Sequence, residues 1–194
     1  RHAKALIAAT QNEADTIKRL YDRESTIIPE VGFSGKGEEY TSHSKSKTLK
    51  ICWSGQFTPR KSLNLLIEAA AQVQSPIELH IIGDGACEKR WKKMAARYSQ
   101  LQIEWYGWVE KAKAMVIMQK CDLFCITSLS DLTSTVLLEA LSYGLPTIAL
   151  DHCGFTNVIT DECGIKISIR GKRQVIKDIA KAIDEIATDD ERRK

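Results

Sequence analysis

Three charged side chains, Lys61, Asp131 and Glu139, follow short apolar runs and stand at or near the start of helical patterns. Lys61 belongs to Gly55-Gln56-Phe57-Thr58-Pro59-Arg60-Lys61-Ser62, where one apolar run ends at Gly55 and a helix is expected from about Arg60. Two cations in a helix's first turn oppose the macrodipole, whose N-terminal end is positive, unless an anion sits between them. Free backbone N–H groups at such an end already attract phosphate. Lys61 is therefore either a phosphate ligand or, with Arg60, one of two solvated surface cations.

The second stretch runs from Thr127 to Ala140, a polar loop that follows an apolar run and opens a helix. On that helix Thr135, Glu139 and Ser142 fall at i, i+4 and i+7, a polar stripe, while Leu137, Leu138 and Leu141 occupy the apolar remainder. Asp131 in the loop and Glu139 just over one turn into the helix can approach one pocket. Carboxylates there accept hydrogen bonds from sugar hydroxyls while loop amides take a diphosphate. The competing reading of Glu139, an exposed helix carboxylate, is weakened by the apolar character of its helix.

Two further stretches follow apolar runs. In Ile82-Gly83-Asp84-Gly85-Ala86-Cys87-Glu88 a G-x-G stands after a run, but Glu88 replaces the third glycine of a dinucleotide fingerprint, and the motif follows the second strand of its unit. A tight turn remains, with or without a ligand above it. Trp105-Tyr106-Gly107-Trp108-Val109 sets aromatics where a strand enters a loop, either bordering a nucleobase pocket or packing in the core. The basic helix with Lys89, Arg90, Lys92, Lys93 and Arg97 reads as a solvated face.

These residues need elements to position them. Short apolar runs lie at Leu49–Ser54, Ile77–Gly83, Ile103–Tyr106, Leu123–Thr127, Thr147–Leu150 and Ile165–Ile169, and several are apolar at nearly every position, as parallel strands covered on both faces should be. Helical patterns lie between them: Leu63, Leu66, Ile67 and Ala70 follow 3.6-residue spacing, as do Ile176, Ile179, Ala180 and Ile183. The alternation predicts an α/β fold with a doubly wound parallel sheet, whose ligands bind beyond the carboxyl ends of the strands. Ahead of it, Ala5–Ala9 and Thr26–Ile28 read as strands flanking a helix over Glu13–Tyr21, and polar Gly32–Ser46 reads as a loop or linker. The expected domains are therefore 1–46 and 47–194.

Composition agrees. The 194 residues are 43% hydrophobic and 27% charged, with 28 Lys+Arg against 25 Asp+Glu, a formal charge of +3. This is ordinary globular composition, and the balance offers no electrostatic basis for nucleic-acid binding. Six cysteines lie scattered in a chain large enough to need no staples; Cys121-x-x-x-Cys125 lacks a second ligand pair, and the four histidines form no ligand cluster. Core thiols in a reducing cytoplasm and no metal site are expected.

Taken together, these segments resemble the C-terminal, donor-binding domain of family-four retaining glycosyltransferases, which have the GT-B fold. The family reads G-R-x-x-x-x-K-G at Gly55 to Ser62, G-x-G-P near Gly83-Asp84-Gly85-Ala86, and F-x-G-x-V near Trp105 to Val109. Its S-x-x-E-x-F-G-x-x-x-x-E-A signature falls on Ser128 through Ala140, followed by G-x-P at Gly144-Leu145-Pro146 and a D-x-G-G-like turn at Asp151-His152-Cys153-Gly154. The order and register of the motifs carry the resemblance across essentially the whole chain.

The resemblance implies a Rossmann-like domain that binds a nucleotide-diphosphate sugar and transfers a hexosyl unit to an acceptor hydroxyl with retention and without an obligatory metal or other cofactor. Lys61 would neutralise the diphosphate and Asp131 would contact the donor sugar. Glu139 would hold the ribose hydroxyls, and the backbone at Thr133, Ser134 and Thr135 would approach phosphate and sugar. Gly55, Gln56, Arg60, Gly83, Gly85 and Ser128 would line the donor site, and Trp108 and Val109 would border the base. Gln56 replaces the usual Arg, Asp131 a Glu, and Thr133-Ser134 a Phe-Gly pair; Arg60 is the residue able to restore the missing charge. The family expectation is polysaccharide or glycolipid assembly at the cytoplasmic face of a membrane. The acceptor glycan or glycolipid would be held by an N-terminal domain of which residues 1–46 are the end and linker, with Asp189–Lys194 starting a helix back towards it. A nucleotide-sugar epimerase or phosphorylase of the same plan, and a non-catalytic nucleotide-sugar-binding module, are the competing functions. A receiver domain is disfavoured because the acidic cluster at its first strand is missing.

Overall fold

A computed structural model of the chain describes residues 3–29, 32 and 48–189. The rest of the expected linker, like residues 190–194, lies outside the described residues. At the N-terminal end β1 (Ile7–Ala8) and β2 (Thr26–Ile27) pair in parallel around α1 (Gln11–Tyr21). Thr10 caps that helix: its hydroxyl accepts from the Glu13 N–H at 3.2 Å, while Glu13 Oε2 accepts from the N–H of Ala9, one residue ahead of the cap, at 2.8 Å. None of the α1 side chains is fully buried, and Ile7, Leu20 and Tyr21 are exposed.

The second sheet has six strands: β3 (Leu49–Ser54), β4 (Ile77–Ile82), β5 (Gln102–Gly107), β6 (Leu123–Ile126), β7 (Thr147–Leu150) and β8 (Gly164–Ile167). All neighbours pair in parallel, in the order β5-β4-β3-β6-β7-β8. Counted from β3 this is 3-2-1-4-5-6, the Rossmann order, so the doubly wound expectation holds. The winding reverses between β3 and β6, which opens a crevice at the carboxyl ends of those two strands.

Strand alternation builds two cores. Ile51, Trp53, Leu79, Ile81, Leu123, Cys125, Ile148 and Leu150 face α2 (Leu63–Ala70), α3 (Glu88–Ala95) and α7 (Lys172–Thr188). Cys52, Ile82, Phe124, Ile126 and Ala149 face α4 (Lys111–Met118), α5 (Thr135–Ser142) and α6 (Phe155–Val158). Burial on both sides is why the inner strands β3, β6 and β7 read as nearly unbroken apolar runs, while the edge strands β5 and β8 carry exposed polar residues. The expected helical residues Leu63, Leu66, Ile67 and Ala70, and Ile176, Ile179, Ala180 and Ile183, all lie in the first core. Among the described residues no helix is long and apolar enough to cross a membrane.

Two boundaries need correcting. The helix expected from about Arg60 begins at Leu63: Pro59–Lys61 form a 3-10 turn, and Ser62 turns the chain with φ 48°. Arg60 and Lys61 therefore stand on a turn ahead of the helix rather than in its first turn. At the far edge β8 stops at Ile167, and Ile169 is exposed.

Candidate functional site

The crevice at the switch point is lined by the loops after β3 and β6. Trp53, at the end of β3, is buried and donates its indole N–H to Thr127 Oγ1 at 3.0 Å. Thr127 in turn donates its hydroxyl proton to the Lys61 carbonyl at 2.9 Å. The Leu129 N–H reaches the Arg60 carbonyl at 2.8 Å. These three bonds fasten one loop to the other at the reversal of the winding.

Lys61 and Asp131 meet across that seam. The Lys61 ammonium donates to Asp131 Oδ2, with the two side chains 13% and 16% exposed. Arg60 completes the cluster, with Nη1 donating to the Ser130 carbonyl at 2.9 Å and lying 3.7 Å from Asp131 Oδ1. Two cations thus share one carboxylate and leave a net positive charge at the mouth of the crevice, an arrangement able to receive an anion. Gln56, at the position where the resemblance places an arginine, is exposed.

The loop after β7 supports Asp131 from behind. Its Cys153 Sγ accepts from the Asp131 N–H at 3.3 Å, and the Gly154 N–H donates to the Leu132 carbonyl at 2.9 Å. Cys153 adopts φ 59°, and a Cβ on Gly154 would come within 2.6 Å of the Leu132 carbonyl oxygen. Burial pushes the Cys153 thiol above its ordinary pKa.

Thr133 and Ser134 are buried and Thr135 is exposed, at the N-terminus of α5, where no acidic side chain occupies the first turn. The first amides of a helix have no intrahelical partner and suit an anion, although those of Leu137 and Leu138 already bond the Ser134 carbonyl. Ser128 is 1% exposed and its hydroxyl has no hydrogen-bond partner. Glu139 is held elsewhere: its carboxylate pairs with Lys111 at 2.7 Å, the carboxylate 16% and the lysine 70% exposed. Nothing in the sequence had singled out Lys111; the one signal was its place just after Trp108-Val109, at the carboxyl edge. Ser142, expected on a polar stripe, is buried and donates to the Glu139 carbonyl at 2.7 Å.

The glycines after β4 serve packing between loops. Gly83 has φ 125° and a Cβ there would fall 2.0 Å from the Gly55 carbonyl oxygen; at Gly85, φ 141°, it would fall 2.9 Å from that of Phe57. Both clear the Gly55–Thr58 loop, which the Phe57 N–H ties back to the Asp84 carbonyl at 2.6 Å. Of the aromatics, Trp105 packs edge-on against Phe57, with centroids 6.0 Å apart, while Trp108 is 70% exposed and Val109 half-buried.

A doubly wound parallel sheet with a cationic cluster at its switch point defines an α/β domain of the Rossmann kind. Residues 38–194 match the family model for glycosyl transferases group 1, and the chain belongs to that family. Over 103 residues it is 35% identical to a lipopolysaccharide 1,6-galactosyltransferase of Salmonella typhimurium, covering 50% of this chain and 28% of that protein. The Escherichia coli K12 protein of the same name is 30% identical over 102 residues, with the same coverage. Among solved structures, the fold matches the apo form of the lipopolysaccharide outer core galactosyltransferase WaaB, with TM-score 0.76 and 19% identity over 96% of this chain and 53% of that one. It also matches Staphylococcus aureus TarM in complex with fondaparinux, α-GlcNAc-glycerol and UDP, with TM-score 0.78 and 19% identity over 97% of this chain and 38% of that one. These neighbours are GT-B glycosyltransferases, and the chain spans about half their length or less.

Proposed function

We propose that residues 47–194 form the donor-binding half of a retaining glycosyltransferase that moves a hexosyl unit from a nucleotide-diphosphate sugar to an acceptor hydroxyl in lipopolysaccharide or related glycan assembly. Residues 1–46 are then the end of the acceptor-binding domain and the linker. The exposed Ile7, Leu20 and Tyr21 support that reading, since apolar side chains on a small helical unit suit a further packing partner.

The observation that carries the proposal is the Arg60–Lys61–Asp131 cluster at the switch point of a chain in this family. In the reaction the bond between the anomeric carbon and the diphosphate oxygen breaks, the acceptor oxygen attacks on the same face, and its proton passes to the departing diphosphate. Lys61 and Arg60 stabilise the charge that develops on that leaving group, the contribution for which preorganised cations serve best. Asp131, released from Lys61 by the incoming phosphate, turns to the donor sugar. Glu139, released from Lys111, takes the ribose hydroxyls, and the α5 amides approach the phosphate. In this reading Lys61 and Arg60 offset part of the diphosphate's charge, the α5 amides take a further share, and no obligatory metal is invoked.

Calorimetric titration of the chain with UDP and with GDP tests the donor site, and sugar transfer by the intact enzyme tests the activity. Binding without transfer by the intact enzyme selects the non-catalytic module, which the exposed Gln56 and the occupied Lys61 would also suit.

A further inference from the structure

Glu78 and His80 are i, i+2 neighbours on β4, and Glu104 stands opposite His80 on β5. Side chains two apart on a strand share a face, so all three project to the same side of the sheet. One ligand atom from each lies within 4.8 Å of the others. They stand on the bodies of the strands, away from the carboxyl ends where Lys61 and Asp131 meet.

His80 is the telling member. It is 6% exposed, and its Nδ1 lies 2.8 Å from the Tyr106 hydroxyl oxygen. Its Nε2 is sealed from solvent without a hydrogen-bond partner, although Glu78 Oε1 is 3.4 Å away. A buried imidazole beside a carboxylate ordinarily donates a well-aligned N–H to it; here the alignment fails. The spacing suits a shared ion instead, since two atoms bound about 2.0–2.1 Å from one tetrahedral Zn2+ sit roughly 3.3–3.4 Å apart. With Nδ1–H given to the Tyr106 oxygen, Nε2 keeps the lone pair that ligation needs, and a partner on the other ring nitrogen is what metal-binding histidines regularly have. Lys50, opposite Glu78 on β3, and Asp122 face the same group; Lys50 is the cation that competes with an ion there.

We propose that Glu78, His80 and Glu104 bind a divalent transition-metal ion of the zinc class, joining β4 to the edge strand β5, with water completing the coordination. One imidazole and two carboxylates favour Zn2+ over Mg2+ or Ca2+, which take all-oxygen shells. The site is structural and independent of the donor reading, so the two stand or fall separately.

The test uses the purified chain stripped with chelator and dialysed against Zn2+ alone, with Mg2+ as the second arm. One Zn2+ per chain is expected, together with a melting temperature that climbs with Zn2+ concentration and an X-ray absorption spectrum showing only nitrogen and oxygen neighbours. Glu78→Gln and Glu104→Gln, at a half-buried and an exposed position, should each weaken binding about tenfold or more while leaving the metal-free melting temperature near the parent's. Failure to bind one equivalent would overturn the site, leaving Lys50 as the neutralising charge. So would a sulfur shell, which would place the ion on the free thiols, equal affinity for Mg2+, or unchanged affinity in the Glu78→Gln/Glu104→Gln double variant.

Discussion

Lys61 and Asp131 come from opposite sides of the point where the sheet reverses its winding, and their ion pair closes the crevice between β3 and β6. An anionic ligand entering there must exchange one carboxylate for its own oxygens, while Arg60 stays within reach of both.

Replacing Lys61 by Ala should therefore affect binding far more than folding. Arg60 remains beside Asp131, so the stability loss should be about 1 kcal/mol, within the range for one partner of a part-buried pair. Nucleoside diphosphate affinity should fall at least about tenfold, the loss of one charge-assisted contact, and turnover by the intact enzyme further still. Calorimetry and thermal unfolding on the same variant separate the two; unchanged turnover removes Lys61 from the mechanism.

Glu139 and Lys111 make a second prediction with opposite signs. Glu139→Gln should weaken nucleotide binding about tenfold, because ribose hydroxyls lose a charged acceptor. Lys111→Ala, which frees Glu139 from an exposed ion pair, should leave affinity equal or slightly improved, with stability within about 0.5 kcal/mol of the parent. A large affinity loss in Lys111→Ala would mean that the lysine itself holds phosphate.

The sheet was largely legible in advance because its inner strands are buried on both faces: Leu49–Ser54 and Thr147–Leu150 run as read. The start of α2 was not, since a left-handed Ser62 follows a 3-10 turn where local pattern gives no sign of either. The Lys61–Asp131 encounter was implied only by placing both residues after strands; the Lys111–Glu139 pair depends on where two loops meet. The His80 group depends on the register of β4 with β5, including the irregularity at Ile81/Ile82, which no single-strand pattern encodes.

Gly83 supplies a folding test. Gly83→Ala puts a methyl group 2.0 Å from the Gly55 carbonyl oxygen at a φ of 125°. Neither backbone can yield without moving the loop that carries Lys61, so a loss of about 2–4 kcal/mol is expected by denaturant titration. Stability within 0.5 kcal/mol of the parent, on the order of a neutral surface change, would show that the two loops are not so tightly packed.

Thiol labelling reports on the same region. Cys52, Cys121 and Cys125 are fully buried, and burial pushes the Cys125 thiol up to about 12, so they should react only on unfolding. Cys153 and Cys163 are partly exposed and should react in the native state. Cys153 touches the Asp131 amide, so a bound nucleoside diphosphate should slow its alkylation and leave Cys163 unchanged; equal protection of both would point to a general tightening.

The hydroxyl of Thr127 accepts a hydrogen bond from the Trp53 indole and donates one to the Lys61 carbonyl. That makes the ammonium's position an inheritance from the hydrophobic interior. A survey of activity across variants should thus score Trp53 and Thr127 as sensitively as residues that touch the ligand, and any redesign of donor preference at the crevice is constrained by the repacking that this interior can tolerate.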